Sequence, residues 1–208
     1  MGAEAKICGL TRPADAALAA AGGAAYLGVV FAGGPRAVSA ATAREIVLAA
    51  APVPVLGVFG AAAVGDILRT IRAAGLAGAQ LHTSDPPPAA LAGAGMIWRV
   101  RRLAAAADAD ALPDVPAADA VLVEPAVPGQ GGGTGRALDL ALARLARVRL
   151  AGRRMALAGG LRPETVGDTA RAVGCDIVDV SSGVEAPGRP GIKDAGRMRD
   201  FLEAVRGQ

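Results

Sequence analysis

The sequence predicts an α/β fold, a single (β/α)8 barrel of the TIM type spanning residues 1–208. Three observations carry that expectation. Short apolar runs recur without apolar/polar alternation, as strands covered on both faces require. Eight such runs alternate with eight helical segments, a count that favours a closed barrel over an open doubly wound sheet. The seventh and eighth runs end abruptly in small residues, Gly159-Gly160 and Ser181-Ser182-Gly183, with a helical segment between them. Two adjacent parallel strands ending in this way can offer backbone N–H groups to a phosphate, and in such a barrel these two loops are its usual place. Either turn alone would read as a tight connection from strand to helix.

In order, the first strand is expected over Ala5–Cys8, with Lys6 and Cys8 on one face because side chains alternate. Gly9 to Pro13 is a turn, with Thr11 a candidate cap and Pro13 opening a helix to Ala21. A second strand runs from Tyr26 to Phe31, and Ser39 is placed to cap the next helix, to about Ala50. Val53–Phe59 is the third strand, Val64–Ala74 a helix and Ala79–His82 a short fourth strand. Pro86-Pro87-Pro88 stiffens the approach to a short helix, Met96–Val100 is the fifth strand, and 103–112 is a weaker helix. Ala120–Val123 is the sixth strand, followed by the longest Gly-rich loop, 124–135. Leu138–Val148, Pro163–Val173 and Asp194–Val205 are helical, around strands seven and eight.

Composition narrows the function. Hydrophobic residues make up 52% of the chain but aromatics only 2%, too few for a platform that stacks nucleic-acid bases. The net charge of +3 is spread without a basic cluster, which suits an anionic small molecule and gives no sign of nucleic acid or membrane. Cys8 and Cys175 lack CxxC spacing, so neither a metal site nor a disulfide framework is indicated. With no leader pattern and no apolar run of spanning length, the expected compartment is the cytoplasm.

Polar residues at the carboxyl ends of barrel strands are the candidates for chemistry: Cys8, Arg36, His82, Arg99, Glu124 and Asp179. Cys8 is either a small core residue or, with a lowered pKa, a nucleophile or base. Glu124 is either a solvated loop carboxylate or the acid half of an acid–base pair. Arg36, presented by a Gly-Gly-Pro turn, is either a surface charge or a bidentate carboxylate clamp. His82, the lone histidine, reads better as a hydrogen-bonded structural residue than as a base. Asp179 either orients a substrate hydroxyl or pairs with Lys6 inside the barrel. Cys175 lies away from the mouth and reads as structural. Loop 124–135 is either a linker or a lid, with Gly132, Gly133 and Thr134 at its centre.

Seven motifs occur in register: Lys6-Ile7-Cys8-Gly9-Leu10-Thr11, Phe31…Pro35-Arg36, Gln80-Leu81-His82, Gly132-Gly133-Thr134-Gly135, Leu157-Ala158-Gly159-Gly160-Leu161, Asp179-Val180-Ser181-Ser182-Gly183-Val184-Glu185 and Pro190-Gly191-Ile192-Lys193-Asp194. Together they closely resemble the phosphoribosylanthranilate isomerases of tryptophan biosynthesis, over nearly the whole chain. The resemblance implies a (β/α)8 barrel without cofactor or metal, acting as monomer or homodimer on a phosphorylated small molecule. The implied reaction is an Amadori rearrangement of N-(5-phosphoribosyl)anthranilate to 1-(2-carboxyphenylamino)-1-deoxyribulose 5-phosphate. It further implies Cys8 as general base, Arg36 as holder of the anthranilate carboxylate, and Gly159, Gly160, Ser181, Ser182 and Gly183 as the phosphate-binding loops.

The chain departs from the family pattern in places. Glu124 stands where the family has its general-acid Asp, and the added methylene moves the carboxyl outward by ~1 Å, a misplacement that can cost about 100-fold. Thr83 replaces the Gly after Gln-Leu-His, Gly60-Ala61 replaces an Asn, and the loop before Arg36 is one residue shorter. Three functions are therefore weighed: the usual isomerase with Glu124 as acid, a paralogous isomerase for another N-(5-phosphoribosyl) arylamine, and a non-catalytic sugar-phosphate binder. Retention of Cys8 argues against the last.

Overall fold

The computed structural model describes residues 2–82, 88–127 and 135–207. Eight parallel strands close a barrel in chain order: β1 (Glu4–Ile7), β2 (Tyr26–Val30), β3 (Val55–Phe59), β4 (Gly78–Leu81), β5 (Met96–Leu103), β6 (Ala120–Pro125), β7 (Met155–Ala158) and β8 (Ile177–Val180). β8 returns to pair with β1, Lys6 lying opposite Asp179. Outside run α1 (Pro13–Ala21), α2 (Ala40–Ala50), α3 (Val64–Ala74), α4 (Ala106–Asp110), α5 (Leu140–Arg149), α6 (Pro163–Val173) and α7 (Ala195–Arg206).

Local chemistry accounts for most of these boundaries. Pro13 and Pro163 open α1 and α6, where a missing N–H costs nothing. Ser39, Asp139 and Asp194 each accept a backbone N–H in the first turn of α2, α5 and α7. Thr11 is not a cap as the sequence predicts. Arg12 occupies that position, and Thr11 Oγ1 instead donates to the carbonyl of Gly191 at 2.7 Å, tying the first loop to the last. Between β4 and β5 there is a 3-10 turn, Pro88–Leu91. The helix expected over 103–112 shrinks to α4 and a 3-10 turn, Leu112–Asp114, because β5 continues to Leu103.

The apolar core has two parts. The larger lies between barrel and helices and joins strand residues such as Ile7 and Val121 to helix residues such as Ile46 and Phe201. The smaller is contributed by strands alone, Leu56, Trp98, Val100, Ala120, Leu122, Ala156, Ala158 and Ile177, and fills the barrel. Tyr26 meets Trp98 edge-on at 5.0 Å, and Lys6 Nζ lies 5.4 Å from the Trp98 ring. This small, packed plug is the floor on which the polar residues of the mouth stand.

Candidate active site

A cavity of about 360 Å³ opens at the carboxyl ends of the strands. Cys8, Arg36, His82, Glu124 and Asp179 all line it, as do Gly159, Gly160, Ser181, Ser182 and Gly183. Arg99 does not. Its side chain is fully buried and its Nε reaches the carbonyl of Ala117, ahead of β6, at 3.4 Å. Side chains alternate along a strand, so Trp98, Val100 and Arg102 share the inner face and Arg99 turns outward. The residue that β5 delivers to the mouth is Arg102, opposite Glu124 in register.

Cys8 lies just past β1, 7% exposed and open to the cavity. Burial pushes its thiol above the ordinary range, against the pull of the nearby ammonium of Lys6. Lys6 is itself fully buried and donates to Asp179 Oδ1 and Gln80 Oε1, both at 2.8 Å. Burial works against its charge, but Asp179 and Cys8 outweigh that and hold it above its usual value. Of the two sequence readings of Asp179, the ion pair with Lys6 is observed, and the carboxylate also borders the cavity.

Across the barrel, Glu124 is 7% exposed. Arg102 Nε donates to its Oε1 at 3.0 Å, and His82 Nδ1 lies 3.5 Å from the same oxygen. Burial would raise this carboxyl, but His82 and Arg102 prevail and hold it below the ordinary carboxylate range. Glu124 is therefore no solvated loop carboxylate. His82 in turn contacts Gln80, Nε2 to Nε2 at 2.9 Å.

The Gly159-Gly160 corner needs glycine for both conformation and space, and the corner at Gly183 needs it for space. Gly159 and Gly160 have φ of +100° and +63°, and a Cβ on Gly160 would lie 2.6 Å from Ala137 N. A Cβ on Gly183 would lie 1.9 Å from the carbonyl of Leu161, so the loops after β7 and β8 touch backbone to backbone. Ser182 opens a 3-10 turn to Val184 beside them. Ser181 has a different setting: its carbonyl accepts from Lys193 Nζ at 2.9 Å, while its buried Oγ has no hydrogen-bond partner among the described residues.

Arg36 already has a carboxylate. Its Nε and Nη2 both donate to Glu185, each at 2.7 Å, and Glu185 also takes Lys193 Nζ and Gly191 N. Burial opposes the charge on Glu185, yet these four donors bring its pKa down to about 2. Glu185, Lys193, Gln80 and Arg102 thus belong to the site although sequence reasoning gave them no part in it. For Arg102 the signal was present, since it continues the period-two pattern of Trp98 and Val100. Gly132, Gly133 and Thr134, expected in a lid, and Thr83 lie outside the described residues. Among the described residues no group of His, Cys, Asp or Glu could hold a metal ion, and no helix is long and apolar enough to cross a membrane.

Comparison with known proteins gives this geometry its family. Residues 5–204 match the family model for N-(5'-phosphoribosyl)anthranilate (PRA) isomerase. The chain is 37% identical to the N-(5'-phosphoribosyl)anthranilate isomerase of Symbiobacterium thermophilum, covering 97% of both chains. It is 39% identical to that of Acidithiobacillus ferrooxidans, again over 97% of both. Among solved structures, the phosphoribosyl anthranilate isomerase of Thermus thermophilus superposes with a TM-score of 0.85 at 34% identity, covering 98% of each chain. A phosphoribosyl anthranilate isomerase in complex with reduced 1-(o-carboxyphenylamino)-1-deoxyribulose 5-phosphate gives a TM-score of 0.82 at 27% identity, over 99% of this chain and all of that one. The chain belongs to the N-(5'-phosphoribosyl)anthranilate isomerase family, enzymes of tryptophan biosynthesis.

Proposed function

We propose that Cys8 and Glu124 are the base and acid that carry out the isomerase reaction on N-(5'-phosphoribosyl)anthranilate. The observation that supports this best is the shared cavity: a thiol from β1 and a carboxylate from β6 flank a space whose third wall is the pair of glycine corners. The sugar lies between them, its phosphate on the backbone N–H groups of Gly159, Gly160, Ser182 and Gly183, with Ser181 lining the same corner. The anthranilate carboxylate is taken by the Nη1 side of Arg36, since Glu185 occupies the Nε–Nη2 edge. Anchoring both ends turns binding into positioning.

Glu124 then gives a proton to the furanose ring oxygen as the C1′–O bond breaks, leaving an iminium. Cys8 as thiolate takes the proton from C2′, which the iminium has made acidic, and the resulting enamine ketonises. The pair needs one proton between them. At rest that proton sits on sulfur, because the thiol is raised and the carboxylate lowered. Turnover runs through the form in which it has moved to Glu124.

Loss of anthranilate fluorescence from freshly made substrate measures the reaction. Cys8→Ala is expected to lower kcat by about 10²–10⁴-fold, the worth of a general base, while inorganic phosphate still protects the protein against thermal unfolding. Undiminished turnover in this variant would remove Cys8 from the mechanism.

A further inference from the structure

We infer that Lys6 and Gln80 fix the His82 ring as its Nδ1–H tautomer, so that His82 acts as a positioning residue whose one proton points at Glu124. An ammonium has three hydrogens and no lone pair, so Lys6 can only donate. Its contact with the Gln80 amide at 2.8 Å must therefore be to the oxygen. The orientation of that amide follows, because the reverse would set an NH2 group against a buried NH3+ group. The Gln80 Nε2 hydrogens then face His82 Nε2 at 2.9 Å. Two donors cannot share that contact, so Nε2 presents a lone pair and the ring proton is on Nδ1.

On the other side of the ring, Nδ1 has two neighbours. Arg102 Nη2 lies at 3.3 Å and Glu124 Oε1 at 3.5 Å. Arg102 is a donor, so the nearer contact is not a hydrogen bond once Nδ1 carries its proton. The acceptor is Glu124. The groups that face His82 are thus Gln80 on β4, Arg102 on β5 and Glu124 on β6, with Lys6 on β1 and Asp179 on β8 behind Gln80. The rival arrangement has Nδ1 accepting from Arg102 and a proton on Nε2, and it requires the amide to turn its NH2 towards Lys6.

The consequence concerns the carboxylate. Arg102 Nε and His82 Nδ1 both load Oε1, while Oε2 has no protein partner among the described residues. A proton on its way to the sugar then travels on Oε2, with Oε1 pinned. That consequence rests on Glu124 being the acid. The tautomer does not.

His82 is the only histidine in the chain, so a long-range 1H–15N spectrum of labelled protein shows one imidazole and needs no variant. At a pH where the ring is neutral, the expected spectrum has the proton on Nδ1. Nε2–H as the main form would overturn the inference. Gln80→Glu places an acceptor between Lys6 and His82 and is expected to move the proton to Nε2, whereas Gln80→Leu releases the ring to its solution preference. An unchanged Nδ1–H spectrum in both would remove Gln80 from the account. In Gln80→Glu, kcat is expected to fall on the order of 10-fold, one hydrogen bond to a charged group, with KM unchanged and the acid limb of the pH profile displaced. A flipped tautomer with unaltered kcat and pH profile would leave the ring assignment standing and sever its link to Glu124.

Discussion

The proposed phosphate corner and the proposed acid side occupy the same rim yet are built in opposite ways. Gly159, Gly160, Ser182 and Gly183 make the corner from backbone, in the loops after two neighbouring strands, with φ and close approach excluding a side chain at Gly159 and Gly160 and close approach alone excluding one at Gly183. The acid side is made of side chains: Glu124 held by Arg102 and His82, His82 held by Gln80, and Gln80 held by Lys6 from the opposite wall. Backbone presents its donors wherever the loop folds, so a few contiguous residues suffice. A side-chain network exists only once four strands are in place, and each member's protonation depends on the next.

Substitutions separate the two by what they change. Glu124→Gln is expected to lower kcat by about 10²–10⁴-fold and leave KM nearly unmoved, as the proposed role in chemistry rather than in binding requires. A large rise in KM instead would mean that it grips substrate. Glu124→Asp withdraws the carboxyl by ~1 Å, away from both Arg102 and His82, and kcat should drop by about 100-fold. A gain in activity would show that the longer side chain is a handicap rather than the one this mouth is built around. Gly183→Ala does the converse. Its Cβ would press on the Leu161 carbonyl and part the two loops, so KM should rise on the order of 10-fold with kcat less affected. Equal losses in both parameters would mean that corner and acid side are not separable.

The smaller effects are in pH. In the proposed mechanism, below the lowered limb of Glu124 both groups carry protons and the base is lost. Above the raised limb of Cys8 both are ionised and the acid is lost. Between them kcat/KM should run flat across neutrality, and a narrow peak there would contradict the proton inventory given above. Stability should respond through Glu185. Its folded pKa of about 2 is below its ordinary value, so its contribution is present above the unfolded carboxylate range and lost as pH falls through the folded one. Urea midpoints measured from pH ~5 downward should decline, and less steeply in Glu185→Gln. Parallel curves would show that this carboxylate is not responsible.

Much of this was legible in the residues, for identifiable reasons. α3 and α6 have the bounds that spacing and punctuation predict, Val64–Ala74 and Pro163–Val173, because proline and glycine act locally. The cap at Ser39 is likewise where it should be. Thr11 and β5 are different. Thr11 could cap a helix, but its hydroxyl is claimed by Gly191, 180 positions away. The end of β5 could be placed at Val100 because the charged run Arg99-Arg101-Arg102 hides the alternation, and only pairing with β6 carries the strand on to Leu103. A strand ending at Val100 puts Arg99 at the mouth, whereas the longer strand brings Arg102 to Glu124.

The chain by itself settled the barrel, the strand ends that carry Cys8 and Glu124, and the glycine corners, since each follows from apolar runs and from residues whose shape acts on their immediate neighbours. Tertiary structure decided which arginine meets Glu124, that Arg36 pairs with Glu185, and that Lys6 reaches Gln80 and Asp179 through the barrel interior. Hydrogen bonds and charge act over a few ångströms of space, and residues far apart in the chain come within that distance only when the barrel closes.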